Sequence, residues 1–323
     1  MSAKDPDETR EGVALTNLDA ELFGGARATK RDLVDYLDAV SDRILPVLED
    51  RPLSVIRVHR GQKAFMQKNV PSYTPAWVPT VKRWAEASRR DVSYALCNDR
   101  RALMWFANQR AIEYHPALVC AHRPDHITHL VLDLDPPDAD GFGMAVRAAR
   151  AVRQALADVG LHGAVKTSGA KGLHVFVPID NEASMEDSAA ATRAIAVRAE
   201  QLAPDIATTA FVRADRGGKV FVDATRVGGA TVIAAYSPRV RPGVSVSFPV
   251  DWDDLDRIEP TDFTMHTALR RLGDRDPWQE RMPGPQAVPL DLIQEGHAVP
   301  VARVQAMHDG KRRARRAREE RPD

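Results

Sequence analysis

Two short segments hold the residues most able to do chemistry. Val131-Leu132-Asp133-Leu134-Asp135-Pro136-Pro137 sets two carboxylates in an apolar strand pattern. Lys166-Thr167-Ser168-Gly169-Ala170-Lys171-Gly172-Leu173-His174 is a glycine-rich bend carrying a hydroxyl, a lysine and a histidine. Side chains at i and i+2 of a strand share a face, so Asp133 and Asp135 point the same way, with Cα atoms about 7 Å apart at the usual strand rise. Two carboxylates aimed at one space repel unless a cation or a proton stands between them, and hard oxygen donors suit Mg²⁺ or Mn²⁺. A third acid ends Lys219-Val220-Phe221-Val222-Asp223, where Val220 and Val222 take one face and Asp223 the other. Three acids holding two ions form the arrangement that activates a 3′-hydroxyl and stabilises a transferring phosphate. On that reading Asp133 and Asp135 bridge both ions, and Asp223 holds the ion beside the attacking hydroxyl.

The bend is not a Walker A loop, which runs into a helix; here it lies between two predicted strands. It suits phosphate nonetheless. Gly169 and Gly172 let the backbone approach closely and point amides at an anion. Ser168 can donate a hydrogen bond, Lys171 adds charge, and His174 lies two residues into the next strand. Arg216 and Lys219 precede Asp223 in a glycine-rich turn, and Arg239 follows Ala235-Tyr236-Ser237-Pro238; an arginine fork matches phosphate oxygens in pairs. Taken singly, each feature has a plainer reading: a solvated strand end, a hairpin turn, a surface charge. Their combination points to a divalent ion facing a nucleoside triphosphate.

The elements that must position these residues follow from periodicity. Thr29, paired with Asp32 as a cap, precedes a helical pattern through Leu33, Tyr36, Leu37, Val40, Ile44, Leu45 and Leu48, closed by Pro52. Leu53–Val58 alternates as a strand, Lys63–Asn69 reads as a strand or extended loop, Ser93–Cys97 as a strand, and Ala102–Glu113 as a helix. His129–Asp135 is a strand, 142–159 a helix stopped by Gly160, and Ala164–Thr167 and Leu173–Val177 are strands. Ser184–Leu202 is a capped helix, and Lys219–Thr225 and Ala230–Tyr236 are two further strands. This order describes an α+β fold, helices covering one sheet face and the other left for a site. Residues 1–14 read as a flexible leader. From about Asp274 proline rises, and Lys311–Arg318 holds six Lys or Arg, a mobile basic extension or a short exposed helix.

Composition limits the partners. With 323 residues the chain can bury a large core. Lys+Arg and Asp+Glu both number 45, so net charge is silent, yet Arg57, His59, Arg60, Lys63 and Lys68 cluster, as do Lys82, Arg83, Arg89 and Arg90; such local faces can bind a polyanion. Cys97 and Cys120 make neither a disulfide framework nor a zinc site. No run approaches about 20 apolar residues, and the N-terminus lacks a signal-peptide core, so a soluble cytoplasmic protein without membrane contact is expected.

Read in order, several strings resemble the polymerase domain of bacterial DNA ligase D, a branch of the archaeo-eukaryotic primase superfamily. They are Thr16-Asn17-Leu18-Asp19, Thr29-Lys30-Arg31-Asp32-Leu33, Phe65-Met66-Gln67-Lys68, Asp133-Leu134-Asp135-Pro136, Lys166 through His174, Val220-Phe221-Val222-Asp223 and Ala235-Tyr236-Ser237-Pro238-Arg239. The resemblance runs from about Leu15 to about Trp278. It implies a primase-like core of mixed β-sheets flanked by helices, in which two interleaved α/β lobes occupy 15–281, followed by an extension over 282–323. It implies template-directed primer extension with NTPs or dNTPs, assisted by two Mn²⁺ or Mg²⁺ ions. It gives the metal role to Asp133, Asp135 and Asp223, and nucleotide-phosphate roles to Ser168, Lys171, His174, Arg216 and Arg239. It gives Lys30 a grip on a 5′-phosphate, and the positions of Phe65 and Met66 contact with the template; Arg57 and Lys68 are read as flanking DNA contacts. Two departures stand out. A lysine often follows the Thr16–Asp19 string, where this chain has Ala20, and Met66 replaces an aromatic residue. The expected partners are gapped or broken DNA with a 5′-phosphate, a DNA ligase or an end-binding repair protein. Gap filling and end joining both fit, and a catalytically silent gapped-DNA-binding module and a primase that starts chains unaided stay open as alternatives.

Overall fold

The computed structural model describes residues 7–59, 61–85, 89–180, 182–227 and 230–301. The chain opens with a hairpin, β1 (Glu8–Arg10) and β2 (Val13–Leu15), then α1 (Lys30–Ala39), α2 (Ser41–Leu48), β3 (Leu53–Arg57), β4 (Phe65–Gln67), β5 (Thr80–Ala85), β6 (Arg90–Ala95), α3 (Arg100–Asn108) and β7 (Ala111–Pro116). A small hairpin, β8 (Val119–Cys120) and β9 (Arg123–Ile127), leads to β10 (His129–Asp135), α4 (Phe142–Ala157), β11 (Ala164–Thr167), β12 (Leu173–Pro178) and α5 (Met185–Leu202). Then come β13 (Ala207–Thr208), β14 (Val220–Asp223), β15 (Pro249–Val250), α6 (Met265–Leu272), α7 (Pro277–Arg281) and α8 (Leu290–Ala298).

Two larger sheets carry the fold. One has the order β4-β3-β6-β5, with β7 also paired to β3; the other, which holds the acids, has the order β13-β14-β10-β12-β11-β15. Every pairing in the second sheet is antiparallel except β13 with β14. In β10 the even positions Leu130, Leu132 and Leu134 are fully buried beneath the helical layer of α4 and α5; burying each leucine contributes about 1.5–3 kcal/mol. The odd positions His129, Asp133 and Asp135 therefore project from the opposite face. This is the arrangement expected from the strand–helix order.

Other expectations are corrected. The segment read as a flexible leader is, from residue 7 on, structured: Val13 and Leu15 are buried, and Arg10 pairs with Asp35 and Asp38 of α1. The helix begun by Thr29, whose capping box with Asp32 is present, breaks at Val40 into α1 and α2. The apolar run Ala102–Glu113 is not one helix; Arg110, at φ +59, turns the chain from α3 into β7. Ala230–Tyr236 forms no strand. Val232 and Ala234 donate to the Pro116 and Tyr114 carbonyls, but Tyr236 at φ +67 ends the extended run. Beyond Arg281, α8 packs on α5 so closely that a Cβ on Gly296 would stand 1.9 Å from the Ala190 carbonyl oxygen. The basic run Lys311–Arg318 lies outside the described residues. Among the described residues, no helix is long and apolar enough to cross a membrane.

Candidate active site

The register of the larger sheet lines up the chemistry. Asp133 on β10 stands directly opposite Asp223 on β14 and, on its other side, opposite His174 on β12. His174 in turn pairs with Lys166 on β11. Directly opposed residues share a face, so Asp223, Asp133, His174 and Lys166 form one lateral row across four strands. Asp135, two residues on, sits opposite Phe221. A cavity of about 500 Å³ opens over this row, and Asp133, Asp135, Asp223, Ser168, Lys171, Gly172, His174, Arg216 and Arg239 all line it. Nine residues chosen from sequence thus converge; Lys219 is not in the lining.

Each of the three carboxylates meets a cationic side chain. Arg226, on a 3-10 turn at Thr225–Val227, donates to Asp133 Oδ2 at 2.7 and 3.1 Å and pairs with Asp223 Oδ2 at 3.3 Å. Asp223 Oδ1 is turned away to accept from Thr225 N and Oγ1. Lys171 lies 3.0 Å from Asp135 Oδ1, and Arg216, stacked on the Phe221 ring at 3.9 Å, lies 3.3 Å from Asp135 Oδ2. Burial pushes Asp133 upward, but hydrogen bonds from His174 and Arg226 and the Arg226 charge outweigh it and hold the carboxyl well below its ordinary range. The three acids face the cavity beside His174, each already paired with positive charge, and their oxygens are of the type a hard divalent ion takes. Among the described residues, however, only Asp50, Cys120 and His122 bring three ligand atoms within 4.8 Å of one another.

The bend works differently from its sequence expectation. Ser168 Oγ accepts from the amides of Ala170 and Gly172, so those N–H groups close the bend on itself and do not point outward at an anion; the hydroxyl proton of Ser168 stays available to donate. Gly172 is required by packing, since a Cβ there would lie 2.0 Å from the Leu134 carbonyl oxygen. Gly169 has φ +66, and its Cβ would meet Arg239 Cγ at 2.7 Å. Arg239 bonds the Ser168 carbonyl, and its Nε lies 3.2 Å from Glu113.

Two residues at or behind the cavity and one separate cluster escaped sequence reading. Arg226 left a weak signal, an i+3 spacing from Asp223. Glu113 is buried on β7 and holds Arg239, His115 and the Val240 amide; burial alone would raise it, yet these partners bring it down to about 2. It lay in a segment read as helix. Asp50, Cys120 and His122 cluster with ligand atoms within 4.8 Å of one another, outside the larger sheet and without any sequence signal.

The expected DNA contacts are divided between a second cavity, of about 480 Å³, and the open surface. Lys30 and Arg57 line this cavity together with Thr16, Asn17 and Ala20. Lys30 is buried and donates to the Thr16 carbonyl and Asn108 Oδ1 at 2.6 and 2.5 Å; burial and the Arg110 charge push its amine down to about 8. Arg57 is also buried, its guanidinium spent on Gln109, Gln67 and Tyr73, so it reaches the cavity with its hydrogen bonds already committed to the protein. Phe65 stacks on His59 at 5.1 Å and stays 37% exposed, Met66 45%. Lys68 is exposed and lines neither cavity.

A family model described as LigD, primase-polymerase domain, matches residues 29–278. The chain is 32% identical over 289 residues to the bifunctional non-homologous end joining protein LigD of Bacillus subtilis, the match taking in 87% of this chain and 46% of that protein. It is 34% identical over 286 residues to the multifunctional non-homologous end joining DNA repair protein LigD of Mycobacterium tuberculosis, over 85% of this chain and 37% of that one. The chain thus spans less than half the length of these relatives. It is also similar to the solved polymerase domain from Mycobacterium tuberculosis Ligase D in complex with DNA, with a TM-score of 0.77 and 32% identity, covering 84% of this chain and 97% of that chain.

Proposed function

The chain belongs to the LigD primase-polymerase domain family, and we propose that it is a nucleotidyltransferase that extends a primer along a template to fill short gaps or mend broken ends in DNA. The observation that carries this reading is the convergence of three carboxylates, a lysine and four arginines on one cavity. In the reaction the primer 3′-hydroxyl oxygen forms a bond to the α-phosphorus of the bound nucleotide. The bond to the bridging oxygen of the β-phosphate breaks, the hydroxyl loses its proton, and pyrophosphate leaves. Asp133, Asp135 and Asp223 would hold the divalent ions, which supply charge neutralisation and an acidified hydroxyl.

The remaining residues act on the nucleotide itself. Lys171 and Arg216 are held beside Asp135 by charge; ions taken up by the acids would free both cations for the triphosphate. Arg239, braced by Glu113, and Ser168, with its hydroxyl proton, flank the same space. Lys30, at the far cavity, suits a 5′-phosphate, because a buried ammonium with an unspent N–H gains strongly from an anion. Phe65 offers one ring to a template base, a stack worth about 1–3 kcal/mol.

The deciding experiment is incorporation of labelled NTP or dNTP on 5′-phosphorylated gaps of several lengths, with Mn²⁺ or Mg²⁺. Extension supports the reading. Salt-sensitive binding to gapped DNA with no incorporation would leave a silent binding module in its place, and products on unprimed single strands would favour a primase.

A further inference from the structure

Lys166 is a fully buried lysine that stands behind His174, outside the lining of the cavity, and the chemistry above does not use it. Its amine lies 2.9 Å from His174 Nδ1 and 2.6 Å from Ser247 Oγ, with the Phe176 ring 5.4 Å away. Both polar partners are neutral groups, and the carboxylate that acts on the amine, Asp133, does so across the His174 ring. A lysine buried without direct ionic compensation is costly, which calls for a return elsewhere.

The hydrogen-bond chain shows that return. Ser247 Oγ spends its one proton on the Thr167 carbonyl, so it can only accept from Lys166. On the other side of the row, His174 Nε2 faces Asp133 Oδ1 at 3.3 Å. An ionised carboxylate only accepts, so Nε2 carries the proton, and in a neutral imidazole Nδ1 is then a lone pair. Lys166 is the donor that this lone pair meets. We infer that Lys166 is a positioning residue: its N–H, anchored by Ser247, locks His174 in the tautomer whose Nε2–H points into the cavity as a hydrogen-bond donor.

The consequence concerns the substrate, and here the inference rests on the reading of the cavity as a nucleotide site. A polyphosphate needs donors. With the proton on Nε2, which in the unliganded protein faces Asp133 Oδ1, His174 has a donor that a phosphate oxygen could take over from that carboxylate; with the proton on Nδ1 it would turn a lone pair toward phosphate oxygens and repel them. As an ammonium Lys166 can only donate; as a neutral amine it still has an N–H to give Nδ1, because Asp133 on the far side of the ring favours the proton on Nε2.

Long-range proton–nitrogen correlation spectra of protein with isotope-labelled histidine read the tautomer directly. The His174 signal is identified by its loss in His174→Gln. The expected result in the unmodified protein is a single Nε2–H form, and an Nδ1–H form or a mixture overturns the inference without any substitution at Lys166. Lys166→Met removes the donor at similar length, and Lys166→Gln removes the charge but keeps an N–H. The first should give a mixed tautomer and raise KM for the nucleotide about tenfold with kcat little changed, and the second should stay within about threefold. Equal impairment of both variants, or an unshifted tautomer in Lys166→Met, would show that the lysine serves packing or charge alone. Should Lys166→Met not fold, the unmodified spectrum and Lys166→Gln still decide. An enzyme with no incorporation at all would reject the polymerase reading and leave the tautomer result standing on its own.

Discussion

Asp133 and Asp223 stand face to face on adjacent antiparallel strands, and one guanidinium, Arg226, closes on both. The acids are 90 residues apart in sequence, and a cross-strand register alone makes them neighbours. Asp133→Ala or Asp223→Asn should lower incorporation by about 10³-fold or more, while anisotropy with gapped DNA shows binding retained. Extension that persists in an Asp133→Ala, Asp135→Ala double variant would reject the assignment.

Arg226 answers the carboxylates when no ion is bound. Arg226→Gln leaves like charges facing one another, so in chelator-treated buffer it should destabilise the fold by about 1–2 kcal/mol, a modest figure because the side chain is partly solvated. Mn²⁺ should restore most of the lost melting temperature. A deficit of the same size with and without Mn²⁺ would mean that Arg226 is a packing residue only.

Lys30 carries a pH signature. Its amine sits at about 8 in the folded protein against an ordinary 10.5, first because it is buried and then because Arg110 repels it. The folded state therefore binds fewer protons than the unfolded chain between those values. Its contribution to stability is full above about 10.5, declines as pH falls toward 8, and is constant below. Phosphate binding runs the other way, because the charged amine is the form that grips an anion. The preference for a 5′-phosphorylated over a 5′-hydroxyl gap should weaken between about pH 7 and pH 9 and be small at every pH in Lys30→Met. A preference that is flat or rises with pH in the unmodified protein would remove Lys30 from that role.

Gly172 and Gly143 make a matched pair. A methyl group at Gly172 meets the β10 backbone, whereas at Gly143, within α4, nothing lies within 4 Å. Gly172→Ala should destabilise by about 3 kcal/mol or more, and Gly143→Ala should be neutral or stabilising by up to about 1 kcal/mol. Thermal melts of the two variants check this, and similar melting temperatures would mean that the bend can move off Leu134.

Much of the scaffold was legible because its patterns are local. The β10 strand His129–Asp135, the strands around the bend, the α5 cap at Ser184 and the Thr29–Asp32 capping box each depend on neighbours within a few residues. Reading failed where one apolar run satisfied two conformations. Ala102–Glu113 has helical spacing throughout, and only the left-handed turn at Arg110 divides it; that turn is held by bonds from the Arg110 side chain to carbonyls of Val58, Glu21 and Leu22. The leader reading failed similarly, because polar composition concealed the partners that Arg10 finds on α1.

The candidate site residues were legible in the chain: Asp-x-Asp on an apolar strand, a third acid on another, and a basic, glycine-marked bend between strands announce themselves by residue type and alternation. Register belongs to the tertiary structure alone. Which residue faces Asp133, that the bend's amides turn inward to Ser168, and that Glu113 and Lys166 stand behind Arg239 and His174 all follow from contacts between strands distant in sequence. Such contacts depend on how whole elements bury their apolar faces, and no local periodicity encodes them.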